Sequence, residues 1–320
     1  MSALNRRRFL NHSAKTGLAV AAGGSFLASN VTETNATESK KAAVPKVGAF
    51  TKSFQDRSIP EVCRIFNKIG LDGLDLTVRR GGHIEPNDVE TELPKAHKAA
   101  RDAGTEILFL TTGITDADTD AERLLAAAAE IGITKIKLGY YRYTTFGQLA
   151  KQMKQTRKRI AKVIKLAAKY NVLPCIHVHS GATLPSHGTQ LFELIRDFSP
   201  KEVGAYVDPS HMAKEGGLDG WRQGLDILAP WIALCSVKNF AWERSHRDKQ
   251  GQQRWKTINV PIADGVCPLP DFVAALKKLD FHGPYSMHSE YKGSHSFKNL
   301  DTEGCIRQTA VDLEYFRTLL

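Results

Sequence analysis

The sequence predicts an α/β fold, a (β/α)8 TIM barrel, and three observations carry that expectation. From Val44 onward short β-branched runs alternate with longer amphipathic stretches, eight such units follow one another, and no shift of composition interrupts them. A doubly wound open sheet would stop at about five to seven strands and open on a Gly-rich turn, which is not found after the first run. Residues 44–320 therefore read as one barrel domain, a size that α/β barrels commonly reach as a single unit.

In chain order the strands are expected at 46–50, 73–78, 106–111, 135–139, 172–179, 203–208, 232–237 and 285–290. Helices are expected to begin near Ser58, Asp88, Asp118, Thr145, Thr189, Leu218, Pro270 and Thr302. Several of these starts carry Ser, Thr or Asp, whose side-chain oxygens accept the free N–H groups of a first helical turn. The stretch from Lys151 to Lys169 holds eight Lys and Arg residues and no acid. Ile160, Val163, Ile164 and Ala167 recur there at helical spacing, so it reads as the solvated face of an amphipathic helix rather than a nucleic-acid surface.

Residues 1–29 follow a different logic. Asn5-Arg6-Arg7-Arg8-Phe9-Leu10 resembles a twin-arginine export signal, and a weakly apolar run from Thr16 to Leu27 follows it. The expectation is an exported, periplasmic protein with no stable membrane insertion unless that signal is retained. Residues 30–43 are rich in Thr, Asn, Glu, Ser and Lys, too polar to order themselves, and read as a linker. The net charge of +10 falls to about +6 without Arg6, Arg7, Arg8 and Lys15. Cys63, Cys175, Cys235, Cys267 and Cys305 are odd in number and never spaced as a disulfide framework or a zinc ribbon. Nucleotide-binding, serine-hydrolase and zincin motifs are missing as well.

In a barrel the working residues lie at the C-terminal ends of the strands. There the fifth strand carries Cys175, His177 and His179 on one face, and the sixth ends on Asp208 with His211 three positions later. The seventh ends on Ser236-Val237-Lys238-Asn239, and the eighth on His288-Ser289-Glu290. Burial opposes each of these groups unless it is paired, hydrated or metal-bound, so their convergence on one rim points to a site. Histidines and carboxylates around one cavity suit a divalent ion, with Mn, Zn, Co and Mg all open, acting as a Lewis acid on a sugar carbonyl. His83, on the loop after the second strand, and Trp242, with Arg244, His246 and Trp255 after the seventh, are further candidates for touching the substrate.

These residues resemble the xylose isomerase-like TIM barrels, a family of sugar isomerases and epimerases. The resemblance spans about Val44 to Leu320 and rests on Gly70-Leu71-Asp72-Gly73-Leu74-Asp75-Leu76, Asp208-Pro209-Ser210-His211, Val237-Lys238-Asn239, Val260-Pro261-Ile262-Ala263-Asp264-Gly265 and Ser286 to Glu290. It implies a metal carried by Glu, Asp, His and Glu on strands five to eight, where this chain has His177, Asp208, Ser236 and Glu290. His177 and Ser236 depart from that pattern. The implied assignment has His177, Asp208 and Glu290 as metal ligands, with His177 and Glu290 as the acid/base pair. His211 and Lys238 assist, and His179, His83, Trp242 and His288 hold the sugar. The expected function is metal-assisted isomerisation or epimerisation of a small-molecule sugar or keto-sugar through an enediolate. A metal-dependent lyase or hydrolase of oxidised glycosides and a non-catalytic carbohydrate-binding barrel with a degenerate metal site stay open, as does a homo-oligomer. Nucleic acid is not an expected partner.

Overall fold

The computed structural model describes residues 44–320 apart from 218. The expected export signal and linker lie outside the described residues. Eight strands close a barrel: β1 Val47–Phe50, β2 Gly73–Val78, β3 Glu106–Thr112, β4 Lys135–Lys137, β5 Leu173–His177, β6 Gly204–Val207, β7 Ile232–Val237 and β8 Tyr285–Met287. Each pairs in parallel with its neighbours in chain order, and β8 returns to β1 through Val47 opposite Tyr285. The predicted fold class is the one observed.

Alternation along the strands explains why the barrel has two cores. Ile176, Val207, Cys235 and Val237 face outward and join the large cluster packed under the helices. Phe109, Cys175, Tyr206 and Leu234, one residue out of phase, form a separate small cluster that fills the lumen. The lumen is tight near β1, where a Cβ on Gly48 would sit 2.5 Å from the Gly73 carbonyl oxygen.

The helices are α1 Ile59–Lys68, α2 Val89–Asp102, α3 Thr119–Glu130, α4 Leu149–Ala168, α5 Gly188–Ile195, α6 Pro209–Gly216, α7 Gly220–Leu228, α8 Leu269–Lys278 and α9 Thr302–Leu319. Local chemistry starts them: a Ser58/Glu61 capping box on α1, Asp118 on α3, Asp301 on α9. Three departures from the sequence expectation bear on the site. Strands β4, β5 and β8 end two or three residues early, so His179, His288 and Glu290 stand on the rim beyond the ladder. The helix expected near Thr145 starts at Leu149, because Tyr141–Arg142 first pairs antiparallel with Thr183–Leu184 over the mouth. The sixth unit holds two helices instead of one: Asp208 and Pro209 start α6 directly after β6, and Gly217, with φ of 62°, follows its last residue.

After β7 the chain runs through an antiparallel hairpin, Asn239–Arg247 with Gln253–Val260, which the sequence showed only as a long segment. The basic stretch forms α4 with Thr156, Ile160, Val163 and Ile164 buried, while Arg157 and Arg159 pair with Asp197 and Asp116. All five cysteines are free and buried. Among the described residues no helix is long and apolar enough to cross a membrane.

Candidate active site

The ends of β5 to β8 bring the predicted polar residues into one hollow. Asp208 lies at its centre, fully buried, and its two oxygens do different work. Oδ1 accepts the backbone N–H of His211 at 2.9 Å and so caps α6. Oδ2 is 3.1 Å from His177 Nε2, 3.3 Å from Lys238 Nζ and 3.7 Å from His211 Nε2. A carboxylate can only accept here, so Nε2 of His177 carries its hydrogen and Nδ1 keeps a lone pair. That lone pair accepts from the Tyr140 hydroxyl, 3.3 Å away. The His177 ring is also stacked on Tyr206, with centroids 4.4 Å apart.

Lys238 joins this group to Glu290. Its Nζ lies 3.4 Å from Glu290 Oε2, and the other oxygen of Glu290 accepts from Lys52 Nζ at 2.6 Å. Asn239, the next residue, uses its whole amide inside the protein. Nδ2 donates to the carbonyls of Ile262 and Cys267, and Oδ1 accepts from the N–H groups of Phe240 and Cys267.

Electrostatics follow from burial and these pairings. Burial holds His177 and His211 well below the ordinary histidine range and His179 down at about 4, the last with help from the Lys238 charge. Burial alone would raise Asp208 and Glu290, but His211 and Lys238 around the first, and Lys238 and Lys52 around the second, pull both below the usual carboxylate range. Lys238 loses to burial and gains more from Asp208 and Glu290, so it stays an ammonium.

The remaining predicted residues separate into two groups. His179 packs on His211, with ring centroids 3.7 Å apart, and donates from Nδ1 to the Ser180 carbonyl, while His211 Nδ1 meets the Ser180 hydroxyl at 2.8 Å. His211 turns its Nε2 toward Asp208, 3.7 Å away. His288 Nε2 lies 2.8 Å from the Tyr206 hydroxyl, above a buried Asp75 that accepts from Thr111, Ser286 and Tyr206. His83, by contrast, donates from Nε2 to the Phe54 carbonyl and meets the hydroxyls of Thr51 and Thr77 with Nδ1. Both ring nitrogens are thus engaged with protein atoms of the neighbouring loops. Trp242 sits on the hairpin, 53% exposed, with its ring 5.8 Å from that of Phe240.

Lys52, Tyr140, Asp75, Tyr206 and Lys137 belong to the site and were not among the predicted residues. Lys137, the last residue of β4, is 1% exposed, and its Nζ has no hydrogen-bond partner among the described residues. It lies 3.5 Å from the centre of the Tyr140 ring. Burial, with the Arg79 charge, drives its pKa far below the lysine range. Replacing it by methionine of similar length removes an unsatisfied buried donor. Lys137→Met is expected to raise stability by about 1–3 kcal/mol in urea denaturation. A lower midpoint would show that the amine is bonded.

A model of the family described as "xylose isomerase-like TIM barrel" matches residues 63–310. The chain belongs to that family. Solved structures agree on the fold. A 3-keto-D-glucoside 4-epimerase from E. coli superposes with a TM-score of 0.63 at 15% identity, covering 86% of this chain and 99% of that one. D-psicose 3-epimerase from Clostridium cellulolyticum H10, solved with D-tagatose, gives a TM-score of 0.63 at 13% identity over 86% and 99%. A xylose isomerase-like barrel from Mycobacterium smegmatis in complex with magnesium gives 0.61 at 14% over 87% and 99%. No curated protein matches the chain.

The donor set of this family member does not fit the divalent ion that the resemblance implies. Among the described residues no group of three or more His, Cys, Asp or Glu side chains is arranged to hold a metal. His177 turns an N–H, not a lone pair, toward Asp208. Ser236 offers a buried hydroxyl where an imidazole was expected, and both Glu290 oxygens face lysines. The expected ligands His177, Asp208 and Glu290 do converge, but around an ammonium.

The same burial predicts how the barrel responds to acid. His177, His179 and His211 are lowered in the folded chain, whereas an unfolded histidine titrates near about 6.5. Below that value the unfolded chain takes up protons that the folded chain refuses, so stability that is full above it falls as pH drops toward about 4. Asp312, raised to about 6 by burial, works the other way in the same window, one group against four once the similarly lowered His83 is included. The urea midpoint at pH 5 is therefore expected below that at pH 7.5, and equal midpoints would contradict this balance.

Proposed function

We propose that the chain is a carbohydrate-converting enzyme that moves a proton on the carbon beside a keto group, passing through an enediolate, as an isomerase or epimerase of a ketose or keto-sugar. One observation carries this reading: a neutral imidazole, His177, whose Nε2–H is fixed by a buried carboxylate and whose Nδ1 lone pair meets only a tyrosine hydroxyl. An imidazole held in one tautomer by an aspartate is the arrangement general bases use, because the aspartate also stabilises the imidazolium that forms.

In the step proposed, the C–H bond beside the carbonyl breaks, its proton passes to His177 Nδ1, and its electron pair moves to the carbonyl oxygen. The imidazolium then returns the proton to the neighbouring carbon in an isomerisation, while the hydroxyl proton on the first carbon passes to the former carbonyl oxygen and a carbonyl forms at the first carbon. In an epimerisation a second group on the opposite face of the same carbon returns the proton; Tyr140, with its hydroxyl 3.3 Å from His177 Nδ1 and its pKa raised by burial to about 12, stands on the same face as the base. Glu290 is the weaker base of the expected pair, since two lysines hold its charge, and its oxygens suit sugar hydroxyls instead. His179 and His211 line the same side. The epimerases among the structural neighbours support a small keto-sugar as substrate.

The test is solvent exchange. The full chain is incubated in heavy water with ketohexoses and 3-keto-glucosides, and proton NMR follows the position beside the carbonyl. Deuterium is expected to enter at that carbon in at least one sugar. Sugars that bind without exchange would overturn the reading in favour of a carbohydrate binder.

A further inference from the structure

The position implied for a divalent ion, between the carboxylates that follow β6 and β8, is filled by part of the chain itself. Lys238 Nζ lies 3.3 Å from Asp208 Oδ2 and 3.4 Å from Glu290 Oε2, and the side chain is buried. Two carboxylates need two positive charges, and they have them: Lys238 between them and Lys52 on the far oxygen of Glu290 at 2.6 Å. An added divalent ion would leave the cluster with two uncompensated positive charges in a buried place, which is the costly outcome. The carboxylate oxygens it would need, Asp208 Oδ2 and Glu290 Oε2, already face that ammonium, and metal ligands must be deprotonated and free.

We infer that the Lys238 ammonium is the resident cation of this site, so that the barrel works without a divalent metal and presents a fixed ammonium where its relatives would present an ion. In the proton transfer proposed above, the carbonyl oxygen that gains the electron pair would meet that ammonium. This last role rests on the proposed function, while the exclusion of metal does not. A lysine in this position differs from an ion in ways that can be measured. It brings one charge instead of two, it cannot be removed by a chelator, and it offers hydrogens along fixed directions instead of open coordination positions.

The inference is tested by metal binding, read without any sugar. The full chain, purified without chelator, is analysed for metal content and titrated with Mn²⁺ by electron paramagnetic resonance and calorimetry, beside Lys238→Ala and Lys238→Arg. Wild type and Lys238→Arg are expected to carry no stoichiometric metal and to show no saturable Mn²⁺ binding. Lys238→Ala uncovers the facing oxygens of Asp208 and Glu290 and is expected to take up one Mn²⁺ at least about 100-fold more tightly than wild type. Stoichiometric metal in the wild-type protein, or Mn²⁺ bound equally by wild type and Lys238→Ala, overturns the inference. So does a folded Lys238→Ala chain that still binds none, since the ammonium would then not be what keeps the ion out. Should Lys238→Ala fail to fold, the wild-type and Lys238→Arg measurements decide by themselves. A failed search for sugar exchange leaves these readings untouched, so the two ideas fail separately.

Discussion

Asp208→Ala is expected to lower the stability of the barrel by about 3–5 kcal/mol, the range found when one partner of a buried ion pair is removed. The size follows from what that single carboxylate holds. Its Oδ2 faces the Lys238 ammonium and the His177 N–H, and its Oδ1 caps α6. After truncation Lys238 keeps only Glu290, itself shared with Lys52, and an N-terminal cap worth about 1 kcal/mol is lost as well. Asp208→Asn separates the parts: the amide oxygen can still cap the helix, but the negative charge is gone and the NH2 group takes the place of the oxygen that faces His177 and Lys238. Its midpoint in urea should fall between those of Asp208→Ala and the wild-type protein. A loss below about 1 kcal/mol for Asp208→Ala would mean that Lys238 finds its countercharge elsewhere.

His177→Ala should leave the fold largely intact and remove the proton carrier. General acid–base catalysis contributes about 10²–10⁴-fold, and solvent exchange beside the keto group should slow by that factor. Removing the ring also frees Asp208 Oδ2 from one of its partners and Tyr140 from its acceptor. The diagnostic comparison is therefore with Tyr140→Phe, which leaves the imidazole and its tautomer in place. Exchange in Tyr140→Phe should exceed that in His177→Ala. If exchange persists at the wild-type rate in His177→Ala, the proton moves through another residue. Glu290 would then be the next candidate despite the two lysines beside it.

The fold was largely legible because its signals are local. Apolar runs bounded by Ser58, Asp118 and Asp301 announce strands and capped helices without reference to distant residues. Strand ends were overextended where β-branched or histidine residues continue past the last ladder bond, as at His179. Polar residues ending an apolar strand contradict burial, and that contradiction exposed His177, Asp208, Lys238 and Glu290. Tyr206 and Asp75 carry no such signal, since a tyrosine among valines reads as core and an aspartate between leucines reads as a family motif. Lys52 looks like any lysine on a turn. Whether His83 faces substrate or protein depends on Thr51, which is remote in sequence and adjacent only after the barrel closes. The nature of the cation was hidden for a further reason: a sequence can place Lys238 on the rim, but its long side chain chooses a direction only when both carboxylates are present.

The amide of Asn239 gives that direction a permanence that matters for any chemistry at the rim. With four bonds made inside the protein, the residue following Lys238 cannot turn without giving up all of them together. The lysine backbone is anchored before a sugar arrives, and little solvent or side-chain rearrangement is required when negative charge grows beside its Nζ. A loosely tethered amine would have to be recruited on each turnover, whereas this one waits at its post.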